Sequence, residues 1–324
     1  MYPLNRNRRL RSKESLRNLV RESAIHPHDF IAPLFVIEGS NIKEEISSMP
    51  GYFRFSLDKL KKEVNELWSI GVQAVLLFVK VSDSLKDNLG TEAINKDGLM
   101  QRAIKEIKNS IPEITIMTDV ALDPYSKYGH DGIVKDEKIL NDETNIILSQ
   151  MALSHAKCGA DVVAPSDMMD GRILSIRNTL EKNGFINTGI MSYGAKYASS
   201  FYGPFRDALE SKPGFGDKKT YQMDYANRNE AISEVHSDIN EGADIIMIKP
   251  GIAYLDIVRE IRNSTQTPLA VYQVSGEYSM LKAASKLGWI SHDEVMLEQL
   301  MAIKRAGANM IASYFAKEAI KLIS

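Results

Sequence analysis

Lys249 closes the run IIMIK at 245–249, and its four apolar predecessors predict a buried amine. Burial disfavours the ammonium ion and draws a lysine pKa down towards neutrality. A neutral amine at pH 7 is what imine formation with a ketone or aldehyde requires. A second lysine, Lys196, lies in SYGAKYASSFYG at 192–203. If it reaches the same cavity, its charge lowers the pKa of Lys249 further. A lone lysine at a strand end reads as a surface charge or half of an ion pair. Two of them, on adjacent strand ends with Asp119, Ser166, Tyr193, Ser275 and Tyr314 at or beside the others, point to Schiff-base carbon–carbon lyase chemistry.

The stretch TDVALDPYSKYGHDG at 118–132 holds Asp119, Asp123, His130 and Asp131. Three carboxylates and a histidine so close together could bind a hard cation such as magnesium. They could equally be turn and capping residues, since Asp-Pro and His-Asp-Gly are turn signals. Residues 202–219, YGPFRDALESKPGFGDKK, mix glycine, proline and charge in the manner of a mobile lid or a solvated loop. Arg206, Lys212, Lys218 and Lys219 could bring positive charge over a cavity from there. His155 and His236 fall on helical patterns and read as core or surface residues, and no HExxH is present.

The elements that would position these side chains alternate along the chain. Short apolar or β-branched runs occupy 30–36, 74–79, 115–120, 161–166, 188–193, 244–250, 268–275 and 309–315. Amphipathic stretches with helical spacing occupy 57–70, 100–110, 143–157, 229–241 and 294–305. CGADVVAPS, EGADIIMIKP, AGANMIASYF and, more loosely, IGVQAVLLFV share one plan, a glycine helix cap followed at once by a strand. Uniformly apolar strands are buried on both faces and therefore parallel. Eight of them alternating with helices predict an α/β chain folded as a (β/α)8 TIM barrel over 29–324, preceded by an extended N-terminal arm over 1–28. A doubly wound open sheet is the alternative, but no GxGxxG or GxxxxGKS follows any strand.

Composition narrows the function classes. Of 324 residues 44% are hydrophobic and 25% charged, which excludes wholesale disorder. Forty basic against 42 acidic residues leave a net charge of −2, so no global field favours nucleic acid. Cys158 alone can form no intramolecular disulfide and no cysteine-rich zinc site. No apolar run is long enough to span a bilayer, and no apolar signal core opens the chain, so a cytoplasmic setting is expected. Residues 1–22 carry seven arginines and lysines against Glu14 and Glu22, as an RNA-binding, targeting or subunit-contacting arm would.

The motifs resemble those of the porphobilinogen synthase (5-aminolevulinate dehydratase) family nearly end to end. They include MPG (49–51), TDVALDPY (118–125), GADVVAPSDMMDGR (159–172), SYGAKYASSFYGPFRDA (192–208), EGADIIMIKPG (241–251), YQVSGEY (272–278) and SYFAKEA (313–319). The resemblance implies a (β/α)8 barrel that condenses two 5-aminolevulinate molecules to porphobilinogen, an early step of tetrapyrrole and heme synthesis. It implies an imine at Lys249 with the substrate that becomes the propionate side, and Lys196 at the second substrate's carbonyl. Ser275 and Tyr314 would hold the first carboxylate; Arg206, Lys218 and Gln222 would hold the second. Tyr202, Phe205 and Tyr272 are further substrate-binding positions, Ser166 would meet an amine, and Asp119 would assist proton transfer. Zinc-using relatives carry cysteines where Ala121, Asp123 and Asp131 stand, so no catalytic zinc is expected here. Magnesium is the implied metal, at an allosteric site through Glu234, with Asp123 and Asp131 as further candidate ligands. The family also implies a homo-octamer in which the arm wraps a neighbour, leaving no role for nucleic acid or membrane.

Two rivals differ in what they require. A single-lysine sugar-phosphate aldolase needs a glycine-rich phosphate site after the last strands, where YQVSGEY offers one glycine and SYFAKEA none. A silent binding scaffold has no use for two paired lysines.

Overall fold

Eight apolar runs form eight parallel strands that close on themselves in this computed structural model, which describes residues 1–211 and 213–323. Lys212, one of the candidate lid charges, lies outside the described residues. The strands are β1 (Phe30–Ile37), β2 (Ala74–Lys80), β3 (Thr115–Val120), β4 (Val162–Pro165), β5 (Gly189–Lys196), β6 (Ile245–Lys249), β7 (Leu269–Gln273) and β8 (Met310–Ser313). Each pairs in parallel with its sequence neighbour, and β8 returns to β1 through Phe30↔Ile311 and Ile31↔Ala312. Closure removes the sheet edges and selects the barrel over the open sheet. Every residue of β1 and β7 is buried, as expected for strands covered on both faces.

The outer layer comprises α1 (Leu57–Ser69), α2 (Leu99–Ser110), α3 (Asn141–Lys157), α4 (Arg172–Lys182), α5 (Asn229–Asn240), α6 (Leu255–Ser264), α7 (His292–Ala306) and α8 (Ala316–Ile323). Each lays one apolar stripe on the barrel; in α2 it is Met100, Ala103, Ile104 and Ile107. The four glycines of the repeated cap plan, Gly71, Gly159, Gly242 and Gly307, all have positive φ, from 97° to 128°. Only glycine adopts such a backbone without strain, so each helix stops there and the next strand starts in register.

Several features lie outside the alternation read from sequence, among them a helix, Gly203–Leu209, within the stretch read as a lid or solvated loop. Lys43–Glu45 and Phe53–Phe55 form a hairpin, joined to β1 through Phe53–Phe55. Ile133–Lys135 and Lys138–Leu140 form a second one in the long β3–α3 connection. An additional helix, Ser275–Lys286, precedes α7. The fifth strand, read as ending at 193, continues to Lys196.

In the arm, two short helical segments, Asn7–Arg11 and Glu14–Leu19, contain no buried residue. Leu4 and Leu19 are 75% and 81% exposed, which is unusual for leucine.

His155 on α3 is fully buried, and its Nδ1 lies 3.0 Å from the Thr118 hydroxyl. Burial pulls its pKa down to about 3, so the native protein holds it neutral. The unfolded chain takes up this proton near pH 6.5 and the native one does not. Stability is therefore expected to fall by up to about 1.4 kcal/mol per pH unit below pH 6.5 on account of this residue. Denaturant midpoints from pH 7 to 4 should show that slope reduced in His155→Gln; an unchanged slope would assign acid lability elsewhere.

Candidate active site

The two lysines are register partners on adjacent strands, Lys249 opposite Lys196. Reaching that arrangement takes a β-bulge. Ser192 pairs with Ile246 but Ala195 pairs with Ile248, so three steps on β5 oppose two on β6. The Ser192 hydroxyl points outward to Arg172 and Asp238. Strict alternation would send Lys196, four residues on, the same way. The extra residue reverses the parity and turns Lys196 into the barrel beside Lys249.

Lys249 is 4% exposed, and its amine is ringed by aromatic faces. The Nζ lies 4.7 Å from the centroids of Phe205 and Tyr272, 5.0 Å from Tyr202 and 5.4 Å from Tyr193. Burial, assisted by the charge of Lys196, lowers its pKa to about 7, against the pull of Asp119, Asp123 and Asp131. A large share of the amine is therefore neutral and nucleophilic near pH 7. Lys196, 6% exposed, donates to the Ser166 carbonyl and lies 3.5 Å from Asp131 Oδ2.

Asp131 links this wall to residues 213–222, which cross the barrel mouth. Lys218 Nζ approaches Asp131 Oδ1 at 2.6 Å and Asp123 Oδ2 at 3.4 Å. Burial alone would raise the Asp131 carboxyl, but Lys218 and Lys196 outweigh it and hold it below the usual carboxylate range. Burial likewise acts to lower Lys218, and Asp123 and Asp131 override it. His130 completes the latch: Nε2 lies 3.1 Å from the Phe215 carbonyl, and Nδ1 lies 3.0 Å from the Tyr221 hydroxyl. A neutral ring protonated at Nε2 satisfies both contacts, donating to the carbonyl and accepting from the phenol.

Asp119, at the end of β3, is raised to about 7 by burial and by neighbouring Asp123. Its Oδ1 has no hydrogen-bond partner among the described residues. An acid poised near neutrality with a free oxygen can take or give a proton at working pH. Gln222 is 3% exposed, and its amide oxygen is also without a partner. Tyr272 and Tyr314 share a hydroxyl–hydroxyl contact of 2.9 Å. Ser275 Oγ accepts from the Phe205 N–H at 2.9 Å, and the Tyr202 hydroxyl donates to the Lys249 carbonyl at 3.3 Å. Arg206 lies on the rim, half-buried, in a hollow that Glu44, Glu45 and Arg54 also line, and near enough to Lys218 for the two charges to oppose each other. Glu234 is separate, on α5, in a cleft of about 450 Å³ bounded by Asp170, Glu230 and the outer side of 219–223.

Two residues of this region were not singled out from the sequence. Glu277, 4% exposed, accepts the N–H groups of Gly251, Ile252 and Val274. It thereby ties the loop after Lys249 to the loop before Ser275. Arg172, 2% exposed, grips Asp238 with two 3.1 Å hydrogen bonds and also reaches Ser192 and the Tyr193 carbonyl at the bulge. The glutamate three residues into a helix is a capping-box signal that could have been read. Local spacing does not mark Arg172: Asp167 and the Met169 carbonyl lie close by in sequence, but Asp238, Ser192 and the Tyr193 carbonyl come from α5 and β5.

With this geometry in place, comparison with known proteins decides the family. The delta-aminolevulinic acid dehydratase family profile matches residues 4–322. The chain belongs to that family. It is 51% identical to the delta-aminolevulinic acid dehydratase of Bacillus subtilis (strain 168) over 320 residues, covering 99% of this chain and 98% of the relative. The enzyme of that name from Helicobacter pylori is also 51% identical, over 319 residues and 98% of each chain. The crystal structure of the Toxoplasma gondii enzyme in complex with the reaction product porphobilinogen superposes with a TM-score of 0.97 at 49% identity, covering 98% of this chain and 91% of that one.

A thiolate zinc site has no ligands here, because Ala121 cannot coordinate and Cys158 sits before the start of β4, at the far end of the barrel. No group of three or more His, Cys, Asp or Glu side chains among the described residues is placed to hold a metal ion. Asp123 and Asp131 are already paired with Lys218, and Asp131 with Lys196, so a cation between them would have to displace an ammonium. They do not fit a metal site in this arrangement.

Proposed function

We propose that this chain condenses two 5-aminolevulinate molecules to porphobilinogen with loss of water. The observation that carries the reading is the inward pairing of Lys249 and Lys196, with the Lys249 amine buried among aromatic rings and poised near neutrality. Lys249 attacks the ketone of the first substrate. The imine makes the adjacent carbon acidic and so prepares carbon–carbon bond formation. Lys196 activates the second ketone toward nitrogen. Ser275, Tyr314 and Tyr272 meet the first carboxylate. Lys218, Arg206 and Gln222 meet the second, Lys218 exchanging its hold on Asp131 for that carboxylate. Asp119 moves protons, and Ser166 contacts an amine. Tyr202 and Phe205 wall the Lys249 pocket and exclude water.

Magnesium is the metal we assign, outside the barrel at Glu234. Burial and the nearby Asp238 raise the pKa of this half-buried carboxyl, so a cation would relieve it. Magnesium keeps several waters and needs only one or two carboxylates, which suits a single glutamate in a roomy cleft. When bound it would supply charge neutralisation and, by mass action, favour the state that holds it. The exposed leucines of the arm are the surface we assign to a neighbouring copy in a homo-octamer. No helix among the described residues is long and apolar enough to cross a membrane, and a lone half-buried cysteine suits the cytoplasm.

The test is porphobilinogen formation from 5-aminolevulinate after chelation, with magnesium or zinc restored separately. Magnesium should restore activity and zinc should not, and Glu234→Ala should lose the magnesium response while keeping basal activity. No product under any metal from folded protein would overturn the activity. An unchanged response in the variant would remove Glu234 from it.

A further inference from the structure

Four rings surround the Lys249 amine, and three of them bear hydroxyls. That of Tyr202 is engaged by the Lys249 carbonyl, and that of Tyr272 by Tyr314. The hydroxyl of Tyr193 has no partner among the described residues, although the side chain is fully buried. A buried, unpaired hydroxyl is disfavoured by desolvation, and beside two amines in a catalytic cavity a substrate atom is the natural partner for it. Both amines face this one ring, Lys249 at 5.4 Å and Lys196 at 5.9 Å from its centroid. The residue is also held firmly in place. It lies within the β5 bulge, and its carbonyl accepts from the buried guanidinium of Arg172 at 3.4 Å.

We infer that Tyr193 is a catalytic residue whose hydroxyl donates a hydrogen bond to the substrate ketone oxygen as the Lys249 amine adds to it. This rests on the reading of Lys249 as the imine-forming lysine. The nitrogen lone pair forms the C–N bond, and the carbonyl π pair moves onto oxygen. Tyr193 stabilises the developing oxyanion without surrendering its proton. The two protons of the amine then pass to that oxygen, relayed by Asp119, and it departs as water. Burial, followed by the charge of Asp119, pushes the phenol well above its ordinary pKa, which suits a donor and not an acid. The free oxygen of Asp119 is the complementary proton carrier. A prepositioned donor aimed where charge develops is effective because nothing must reorganise during the step.

The variant Tyr193→Phe keeps the ring and removes only the oxygen. Imine formation is measured by rapid borohydride quench with levulinate, which carries the same ketone and carboxylate but lacks the amine needed for condensation. The variant should form the imine on the order of 10²-fold more slowly, with kcat for porphobilinogen reduced in parallel and KM little changed. It should melt at or above the wild-type temperature, since an unpaired buried hydroxyl has been removed. Trapping within about twofold of the wild-type rate would overturn the assignment. So would a lowered melting temperature, which would reveal a structural partner for the hydroxyl. Failure of wild-type protein to trap levulinate would instead refute the imine at Lys249, so the two readings fail separately.

Discussion

Lys249→Met should fold, bind no levulinate covalently, and lose porphobilinogen formation by roughly 10⁴-fold or more, as removal of a covalent nucleophile does. Methionine fills nearly the same volume and suits the four surrounding aromatic rings. The wild-type amine is kept against a desolvation cost, evident in a pKa lowered to about 7. The variant is therefore expected to be at least as stable as wild type, as when a catalytic charge is exchanged for a matched apolar group. Product assay, borohydride trapping and thermal melting together test this. Residual activity above about a tenth of wild type would show that Lys196 or another amine carries the first imine. In the wild type, activity should rise as pH passes upward through about 7, because Lys249 must shed its proton before it can attack.

Arg172→Met should produce the largest loss of stability, about 3–5 kcal/mol near pH 7. Its guanidinium meets Asp238 in two 3.1 Å hydrogen bonds and lies 3.7 Å from Asp167. Both carboxylates are buried with it, so the substitution strands two negative charges in the protein interior. Asp167 is raised to about 6 by burial even with the arginine present. Without it, the stranded carboxyls would take up protons at higher pH. Protonation relieves the penalty, so the difference from wild type should be largest at high pH and shrink as pH falls towards 6, where Asp167 of the wild type takes up its own proton. Adding Asp238→Asn should recover part of the loss. Denaturant midpoints for the three proteins at pH 5.5 and 8 would decide it; a pH-independent loss would mean that packing, not stranded charge, is the cause. Because Arg172 also holds the Tyr193 carbonyl, the single variant should lower kcat as well.

Periodicity and glycine placement carried most of the architecture. Apolar runs of five or six residues followed by glycine-capped helices specify parallel strands buried on both faces, and eight such units are enough for a closed barrel. The same reading placed Lys249 at a buried strand end, because its four apolar predecessors leave no solvated route for the run. Charge and cysteine usage were equally direct: one cysteine cannot build a thiolate metal site wherever it lies.

The tertiary structure decided how the side chains face. Counting alternate residues from Ser192 puts Lys196 on the outer face of the sheet, and only the bulge against β6 brings it inward to Lys249. Such a bulge depends on the pairing of two strands, a property of neither strand alone. The buried pair of Lys218 with Asp131 is likewise invisible locally, since 87 residues separate partners joined by the fold of 213–222 across the barrel mouth. That contact turned two candidate metal ligands into ion-pair partners. The unpartnered hydroxyl of Tyr193 could not be anticipated either, because whether a phenol is satisfied depends on every element packed around it. Sequence patterns act over a few residues and determine which elements form. The pKa values and unsatisfied groups that make a catalytic site arise from burial and charge summed over elements far apart in the chain.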